Sequence, residues 1–318
     1  MEQFFIGVDI GGTGVKTAIV DQNGKAVFAK NIATEPEKGF ENTISLIATQ
    51  IKTLISDQKL SIDQIGYIGM GIPGLTDGKA KVYIAHNINW LDVEIVAEMK
   101  IYFPDTKIYI ANDASVAALA EYRFGDIQNT TNAVMITLGT GVGGGVIINK
   151  KLFSGSYGVA TEIGHLIVGD NFYDCNCGNN GCLETFCSAT ALKKYAQRIL
   201  KDCPSSKIMD DIEGDFDFIN AKIIFNAYKD KDQVAQKIVK RFIKYLAIGM
   251  VNLINVYDPE VFTLGGGVSK SFDLFIDDLE KELNERLTFK NVPRAKIIKA
   301  KLGNDAGAIG ASLLGQYM

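Results

Sequence analysis

The alternation of apolar and polar positions divides the chain into short buried strands and amphipathic helices. A first apolar run, 4–10, is followed by a glycine-rich loop, a second run over 15–20 and a third over 26–33. The pair Asn23-Gly24 separates the last two runs, and this dipeptide is a strong signal for a tight hairpin turn. The chain is therefore predicted to open as an antiparallel meander with a glycine loop between its first two strands.

Helices and strands alternate after the meander. From Ile44 onward apolar residues follow the spacing of one buried helix face. The next strand, 65–71, is followed by Pro73-Gly74, and a further strand, 107–111, is followed by Asn112-Asp113 and an alanine-rich helical segment. Open α/β sheets bind ligands at the carboxyl ends of their strands, so both strand ends are candidate binding positions.

The opening pattern occurs again from residue 133. A strand over 133–138, a glycine loop over 139–145 and a strand over 146–149 repeat the order of the N-terminus. This repetition indicates an internal duplication. The remaining predicted elements are helices over 92–100, 189–201, 219–228, 233–256, 272–287 and 306–314, strands over 261–264 and 296–299, and a less compact segment over 201–217.

Neither of these glycine loops matches the common nucleotide-binding motifs. The first lacks the Gly-Lys-Ser/Thr ending of a Walker sequence, because Val15 stands between Gly14 and Lys16. The second spells the dinucleotide fingerprint over 139–144, but a strand and not a helix is predicted to follow it. Glycine still lets backbone N–H groups approach an anion closely, so both loops are candidate phosphate sites.

The segment 162–184 combines one imidazole, three thiols and two carboxylates. The candidate metal ligands are His165, Cys175, Cys177 and Cys182. They are the right number and kind for a closed tetrahedral zinc site, which is structural because it has no open coordination position. Glu162 and Glu184 bracket the cluster, so a metal there would fix the distance between them. The predicted arrangement is a metal staple with two carboxylates that hold a polar ligand.

Composition and charge narrow the class of protein. With 318 residues, 47% of them hydrophobic and 22% charged, the chain is typical of a soluble globular protein of one large or two ordinary domains. The net charge of −4 argues against a nucleic-acid partner. Neither a basic leader nor an apolar run of about twenty residues is present, which argues against a membrane partner. The five cysteines are odd in number and clustered, so reduced thiols in a cytoplasmic protein are expected.

Together these motifs resemble the bacterial sugar kinases of the ROK family (repressors, open reading frames and kinases), in the actin/hexokinase/Hsp70-like superfamily. The matching segments are Asp9-Ile-Gly-Gly-Thr13, Asn112-Asp113-Ala114, Leu138-Gly-Thr-Gly141, Glu162-Ile-Gly-His165, Cys175 to Glu184 and Leu264-Gly-Gly-Gly267. The resemblance implies an α/β fold of two ribonuclease-H-like (actin-like ATPase) lobes, with a cleft between them for ATP and sugar. It assigns 1–113 with about 301–318 to the N-terminal lobe and 114–300 to the C-terminal lobe.

The resemblance also implies a role for each matched position. Asp113 is expected to be the catalytic general base that takes the proton of the sugar's 6-hydroxyl. The expected sugar-binding residues are Gly74, Asn112, Asp113, Glu162, His165 and Glu184. The expected cofactor-binding residues, for ATP and Mg²⁺, are Asp9, Gly11, Gly12, Thr13, Lys16, Thr140, Gly141, Gly265, Gly266 and Gly267. Structural Zn²⁺ is expected on His165 and the three cysteines named above.

Some of these residues have simpler explanations. Asp113 could be the N-cap of the helix that follows it. Asp9 could form a turn, and Lys16 is either a phosphate contact or a solvated strand lysine. Thr161 stands before Glu162, where similar kinases have glycine, so its side chain either crowds the sugar or faces the core.

The function predicted by these features is an ATP-dependent hexose kinase that acts on the 6-hydroxyl. Glucokinase is the first choice; N-acetylmannosamine kinase, then fructokinase or β-glucoside kinase, are the alternatives, in a homodimer or higher homo-oligomer. A ROK transcriptional repressor is disfavoured because the first strand begins at Phe4, which leaves no room for a preceding helix-turn-helix. An actin-like structural ATPase would not explain the segment from Glu162 to Glu184.

Overall fold

The computed structural model describes residues 3–203 and 205–317. The strands are β1 (Phe4–Ile10), β2 (Gly14–Val20), β3 (Ala26–Ala33), β4 (Ile65–Ile72), β5 (Leu75–Thr76), β6 (Val82–Ala85), β7 (Trp90–Val93), β8 (Lys107–Asn112), β9 (Ala133–Leu138), β10 (Val142–Ile148), β11 (Lys151–Leu152), β12 (Val261–Gly265) and β13 (Lys296–Lys299). The α-helices are α1 (Phe40–Asp57), α2 (Ile95–Tyr102), α3 (Asp113–Phe124), α4 (Glu184–Cys187), α5 (Ala189–Leu200), α6 (Lys207–Asp211), α7 (Ala221–Lys229), α8 (Gln233–Tyr257), α9 (Phe272–Arg286), α10 (Ala306–Ala311) and α11 (Leu314–Tyr317).

Two five-stranded sheets share one strand order. The first runs β3-β2-β1-β4-β8 and the second β11-β10-β9-β12-β13. In the first sheet β1, β2 and β3 form the predicted antiparallel meander, and β4 and β8 add in parallel. In the second, β12 pairs in parallel with both β9 and β13. The α/β class is confirmed, and the duplication predicted from the glycine loops corresponds to this repeated order.

The chain forms two compact units. The first unit contains the residues up to Thr131, Gly145–Thr161 and the chain from Lys301 onward, and the second contains Asn132–Gly144 and Glu162–Ala300. The lobes expected from the sequence divide the chain at residue 114. The structure instead groups 114–131 and 145–161 with the first unit.

Glycines let helices approach the first sheet at backbone distance. A Cβ on Gly7 of β1 or on Gly69 of β4 would lie 1.8 Å from a carbonyl oxygen of α10, and a Cβ on Gly310 would lie 1.7 Å from Val116 O of α3. Only glycine permits such contacts. The stack of β1, α10 and α3 that they create fixes the start of α3, where Asp113 lies.

Several predicted elements differ from the structure. The strand predicted over 146–149 begins at Val142, within the glycine loop predicted over 139–145. The helix predicted over 92–100 begins only at Ile95, because Trp90–Val93 pairs with β6 in a three-stranded sheet of β5, β6 and β7. Trp90 is almost fully buried, and its packing outweighs the weak helical pattern. The helix predicted over 306–314 stops at Ala311 and resumes at Leu314.

The segment 201–217, predicted to be less compact, contains α6 and a 3₁₀ turn over Phe216–Phe218. Ser206 caps α6 and its hydroxyl donates to Asp232 Oδ1 at 3.0 Å. Pro204, inside the same segment, lies outside the described residues. Across the described ranges, no helix has both the length and the apolar character needed to span a membrane.

Candidate active site

Adjacent strands of the first sheet bring several predicted residues together at their carboxyl ends. The register places Asp9 of β1 opposite Gly71 of β4, and Ile72 opposite Asn112 of β8. A Cβ at position 71 would lie 3.7 Å from both the Cα of Asp113 and an Asp9 carboxylate oxygen. Gly71 therefore separates two carboxylate-bearing residues at the strand ends where a ligand is expected.

The cap of α3 is Asn112 and not Asp113. Asn112 Oδ1 accepts from the N–H groups of Ala114 at 2.9 Å and Ser115 at 3.3 Å, and its Nδ2 donates to Gly74 O at 3.2 Å. Asp113 is the first helical residue, and its Oδ1 accepts from Ala114 N–H at 2.7 Å. The simpler explanation of Asp113 as the N-cap is therefore wrong, because its neighbour performs that task.

Asp9 is a buried carboxylate beside a lysine. Burial raises its pKa, and the charge of Lys16 acts in the opposite direction. Lys16 forms an ion pair with Asp305, and its side chain is 23% exposed. A Cβ on Gly307 would lie 2.1 Å from an Asp9 carboxylate oxygen. Lys16 is thus held between carboxylates, which differs from the solvated strand lysine considered above.

The first glycine loop is a closed turn. Gly11 N–H donates to Gly14 O at 2.8 Å, and the Thr34 hydroxyl donates to Gly11 O at 2.6 Å. Thr13 lies exposed at its tip. A Cβ on Gly12 would lie 3.4 Å from Asn87, a residue that the sequence did not assign to the site. The loop leaves room for a ligand to approach its backbone closely.

The second glycine loop contacts Glu184 directly. Gly139 N–H donates to Gly141 O at 2.9 Å, which closes this loop much as the first is closed. Val142 N–H donates to Glu184 Oε2 at 2.9 Å. A Cβ on Gly141 would lie 2.3 Å from the same oxygen, so glycine is required for the carboxylate to sit there. Thr140 O accepts from the Thr190 hydroxyl at 2.8 Å.

Glu162 and His165 lie on one 3₁₀ turn beside the thiol cluster. His165 Nε2 is 4.0 Å from Glu162 Oε2, and His165 Nδ1 is 3.7 Å from Cys175 Sγ. Burial raises the pKa of Glu162; the nearby His165 lowers it and the Glu184 charge raises it. The imidazole therefore faces a thiol with one nitrogen and a carboxylate with the other.

The predicted metal ligands form a compact cluster. Ligand atoms of His165, Cys175, Cys177 and Cys182 all lie within 4.8 Å of one another. The Cys177 and Cys182 Sγ atoms are 3.6 Å apart, close to the separation of about 3.8 Å that two zinc–sulfur bonds at a tetrahedral angle produce. Burial raises the pKa of Cys182 to about 12, so a thiolate there requires an adjacent cation. The donor set and its spacing fit zinc.

The third glycine loop adjoins the second. Gly265 of β12 pairs with Thr137 of β9. Gly266 has a φ of 83°, and a Cβ there would lie 2.5 Å from Leu138 O, so glycine is needed at this position. The loop 265–267 therefore lies against the end of β9, immediately before the loop that contacts Glu184.

The structure adds two features to the sequence motifs of this region. Thr161 has a φ of 72°, in the left-handed region that β-branched residues strongly avoid. This backbone requirement explains why glycine suits the position before Glu162. Arg241 donates to Asn171 next to α4, although Arg241 is distant in sequence from the segment 162–184 that contains Asn171. A long-range side-chain contact of this kind leaves no periodic pattern in one sequence.

The repeated sheet order is that of an actin-like ATPase fold. Residues 5–317 match the model of the ROK family, and the chain belongs to this family. It is 34% identical to a glucokinase of Halalkalibacterium halodurans over 98% of this chain and 95% of the relative. It is 32% identical to an N-acetyl-D-glucosamine kinase of Pasteurella multocida, over 97% and 98%. The crystal structure of a ROK family glucokinase from Streptomyces griseus in complex with glucose and AMPPNP is similar, with a TM-score of 0.81, 33% identity and 98% coverage of both chains.

Proposed function

We propose that this protein is an ATP-dependent hexose kinase that phosphorylates the sugar 6-hydroxyl, with glucose as its substrate. The observation that carries the proposal is the pair of carboxylates on either side of Gly71, with Asn112 capping α3 in place of Asp113. The relatives named glucokinase, 31–34% identical over most of the chain, support glucose as the substrate.

Asp113 acts as the general base in this proposal. Phosphoryl transfer needs little covalent chemistry from the protein, so catalysis depends on placing the hydroxyl and on neutralising charge on the transferred group. Asp113 accepts the proton of the 6-hydroxyl as the oxygen attacks the γ-phosphorus of ATP, and ADP leaves. Asp9 would hold Mg²⁺, which when bound neutralises phosphate charge.

The glycine loops supply backbone N–H groups for the nucleotide. Gly11, Gly12 and Thr13 in one loop, with Thr140 and Gly141 in the other, would line the phosphates. The loop 265–267 would lie beside the adenosine. Lys16, paired with Asp305, adds positive charge near Asp9.

The sugar ligands would be carboxylates and backbone held in fixed directions. Glu162 and Glu184 accept hydrogen bonds strongly when ionised. Gly74 is held by Asn112, whose amide nitrogen carries a second N–H for a ligand. His165 would act through Glu162, since its Nε2 faces that carboxylate.

Zinc would be held by His165 Nδ1 and the three cysteines, and it would serve as a structural staple. Cys177→Ser should lower the zinc content from one per chain and reduce stability by about 2 kcal/mol, or about 4–8 °C in Tm. Metal analysis together with calorimetry measures both. A stable, metal-free wild-type protein would contradict this assignment.

Kinetics on a sugar panel tests the proposal as a whole. With ATP and Mg²⁺, kcat/KM for glucose should exceed that for N-acetylmannosamine, N-acetylglucosamine, fructose, mannose and a β-glucoside by about tenfold or more, the discrimination that one well-placed polar contact supplies. A preference for an N-acetylhexosamine would instead indicate a substrate like that named for the N-acetyl-D-glucosamine kinase of Pasteurella multocida. Lack of turnover on every sugar would refute the kinase. Assembly as a homodimer or higher homo-oligomer stays a prediction, which light scattering can test.

A further inference from the structure

Arg241 of α8 occupies an unusual environment. Its guanidinium carbon lies 4.5 Å from the ring centres of both Phe186 and Tyr195, and 5.3 Å from that of Tyr245. Among the ion pairs formed by the described residues, none includes Arg241. A partly desolvated cation without a carboxylate partner is unfavourable. The aromatic contacts alone do not explain why a guanidinium occupies this position.

The polar contact of Arg241 leads to the helix that carries Glu184. Arg241 Nη2 donates to Asn171 Oδ1 at 2.7 Å. Asn171 Nδ2 in turn donates to Thr185 O at 2.8 Å, and the Tyr173 hydroxyl donates to the same oxygen at 2.9 Å. Helix α4 has only four residues, so it cannot stabilise itself, and its carbonyls need partners from elsewhere. Asn171 is therefore an anchor of α4.

The same asparagine joins the two arms of the hairpin over 167–182, in which Ile167 pairs with Cys182 and Asp174 with Asn180. Asn171 N–H donates to Asn180 Oδ1 at 2.7 Å, and Asn180 Nδ2 donates to Asn171 O at 3.0 Å and to Asp174 Oδ1 at 2.8 Å. These bonds involve no thiol or imidazole. They form a second restraint on the hairpin and on α4, separate from the metal ligands.

We propose that Arg241 is a positioning residue for Glu184, which it orients through Asn171 and the carbonyl of Thr185. This inference rests on the proposed function, in which Glu184 binds the sugar. A guanidinium suits the task because its planar face stacks on Phe186 and Tyr195 while its edge donates to Asn171. Asn171 Oδ1 also accepts from Phe172 N–H at 2.9 Å, and Arg241 adds a charged donor to the same oxygen, which keeps Nδ2 directed at Thr185 O.

Arg241→Met in the full-length zinc-loaded protein tests the inference. Loss of the restraint on Asn171 should raise the sugar KM about tenfold, since one buried hydrogen bond is worth about that factor. The KM for ATP and the zinc content should stay within about twofold of wild type, because the hydrogen bonds of Arg241 and Asn171 reach neither the metal ligands nor the loop 139–141. The matched control is Arg198→Met. Arg198 lies exposed on α5, 4.6 Å from the Phe172 ring centre, and its removal should leave the sugar KM unchanged.

Asn171→Asp separates positioning from packing. The carboxylate keeps an oxygen towards Arg241 but turns a second oxygen towards Thr185 O, where a donor is needed. The variant should keep its zinc and still raise the sugar KM about tenfold. Tyr173→Phe, which leaves Asn171 on Thr185 O, should have a smaller effect.

The outcomes distinguish this inference from the function on which it rests. Unchanged sugar KM in both Arg241→Met and Asn171→Asp overturns the inference, and so does an equal rise of the sugar and ATP KM values, which a general structural defect produces. Either result leaves the kinase assignment intact if the wild type phosphorylates sugar. A wild type without turnover on any sugar overturns both.

Discussion

The two units position their candidate residues by different means. In the first unit, strand register and a helix cap place Asp9 and Asp113, and the close contacts involve backbone. In the second unit, Glu162 and Glu184 sit on a 3₁₀ turn and a four-residue helix, and side-chain bonds and a thiol cluster hold them. Regular secondary structure thus fixes the two aspartates assigned to chemistry, whereas tertiary contacts fix the two glutamates assigned to sugar binding. Substitutions of the two aspartates should change turnover, and those that displace the two glutamates should change KM.

The largest expected effect is that of Asp113→Asn. An amide cannot accept the hydroxyl proton, so kcat should fall by about a thousandfold, within the usual range for loss of a general base. Sugar binding, measured by calorimetry, should remain within a few-fold of wild type because the side chain keeps its size. Near-normal turnover would remove Asp113 from its proposed role.

Asp9→Asn should lower the activity of the protein and raise its stability. Loss of the Mg²⁺ ligand should lower kcat by about a hundredfold. Burial raises the pKa of Asp9, so its charged form is disfavoured in the folded state, and stability is lost as pH rises from the ordinary value of 3.8 through the raised one. The neutral amide does not carry this cost, and at pH 7 it should therefore raise Tm.

Calorimetry at pH 7 and at low pH measures the gain in Tm of Asp9→Asn. The gain should be smaller at acid pH, where Asp9 of the wild type is already protonated. Asp305→Asn is the control, because its side chain is 67% exposed and its removal should change Tm little. A lower Tm for Asp9→Asn at pH 7 would show that its pairing with Lys16 outweighs desolvation.

Gly141→Ala tests whether a substitution that displaces Glu184 changes the sugar KM more than kcat. The added methyl would occupy space 2.3 Å from Glu184 Oε2, so the carboxylate must leave Val142 N–H. The sugar KM should rise about tenfold, with a smaller change in kcat. Gly139→Ala in the same loop is the control, since a Cβ there meets only Gly141 O, at 3.9 Å. Equal effects of the two variants would mean that the loop acts as a whole.

The range of the interactions also decides what the sequence could predict. Local signals sufficed for the strands of the first sheet: the apolar period located β1, β4 and β8, and the carboxyl ends of β4 and β8 bring Gly74 and Asn112 together as expected. The metal cluster was predictable because its ligands are close in sequence. The bond between Arg241 and Asn171 joins residues 70 positions apart, and Trp90 made a strand where the pattern favoured a helix. Both depend on tertiary packing, which overrides local preference.

Thr161→Gly should have the smallest effect, and unlike most substitutions it should raise the stability of the protein. A left-handed β-branched residue costs about 1–2 kcal/mol, whereas the extra unfolded-state entropy of glycine costs about 0.5–1 kcal/mol. The net gain of up to about 1 kcal/mol should raise Tm by about 2–4 °C. Lys150→Gly is the matched control: Lys150 has a φ of 67°, but its side chain is unbranched at Cβ and exposed, so the gain should be smaller.

The sugar KM should rise a few-fold in Thr161→Gly alone, because a more flexible backbone before Glu162 holds that carboxylate less firmly. A fall in Tm would instead mean that contacts of the Thr161 side chain outweigh the backbone strain.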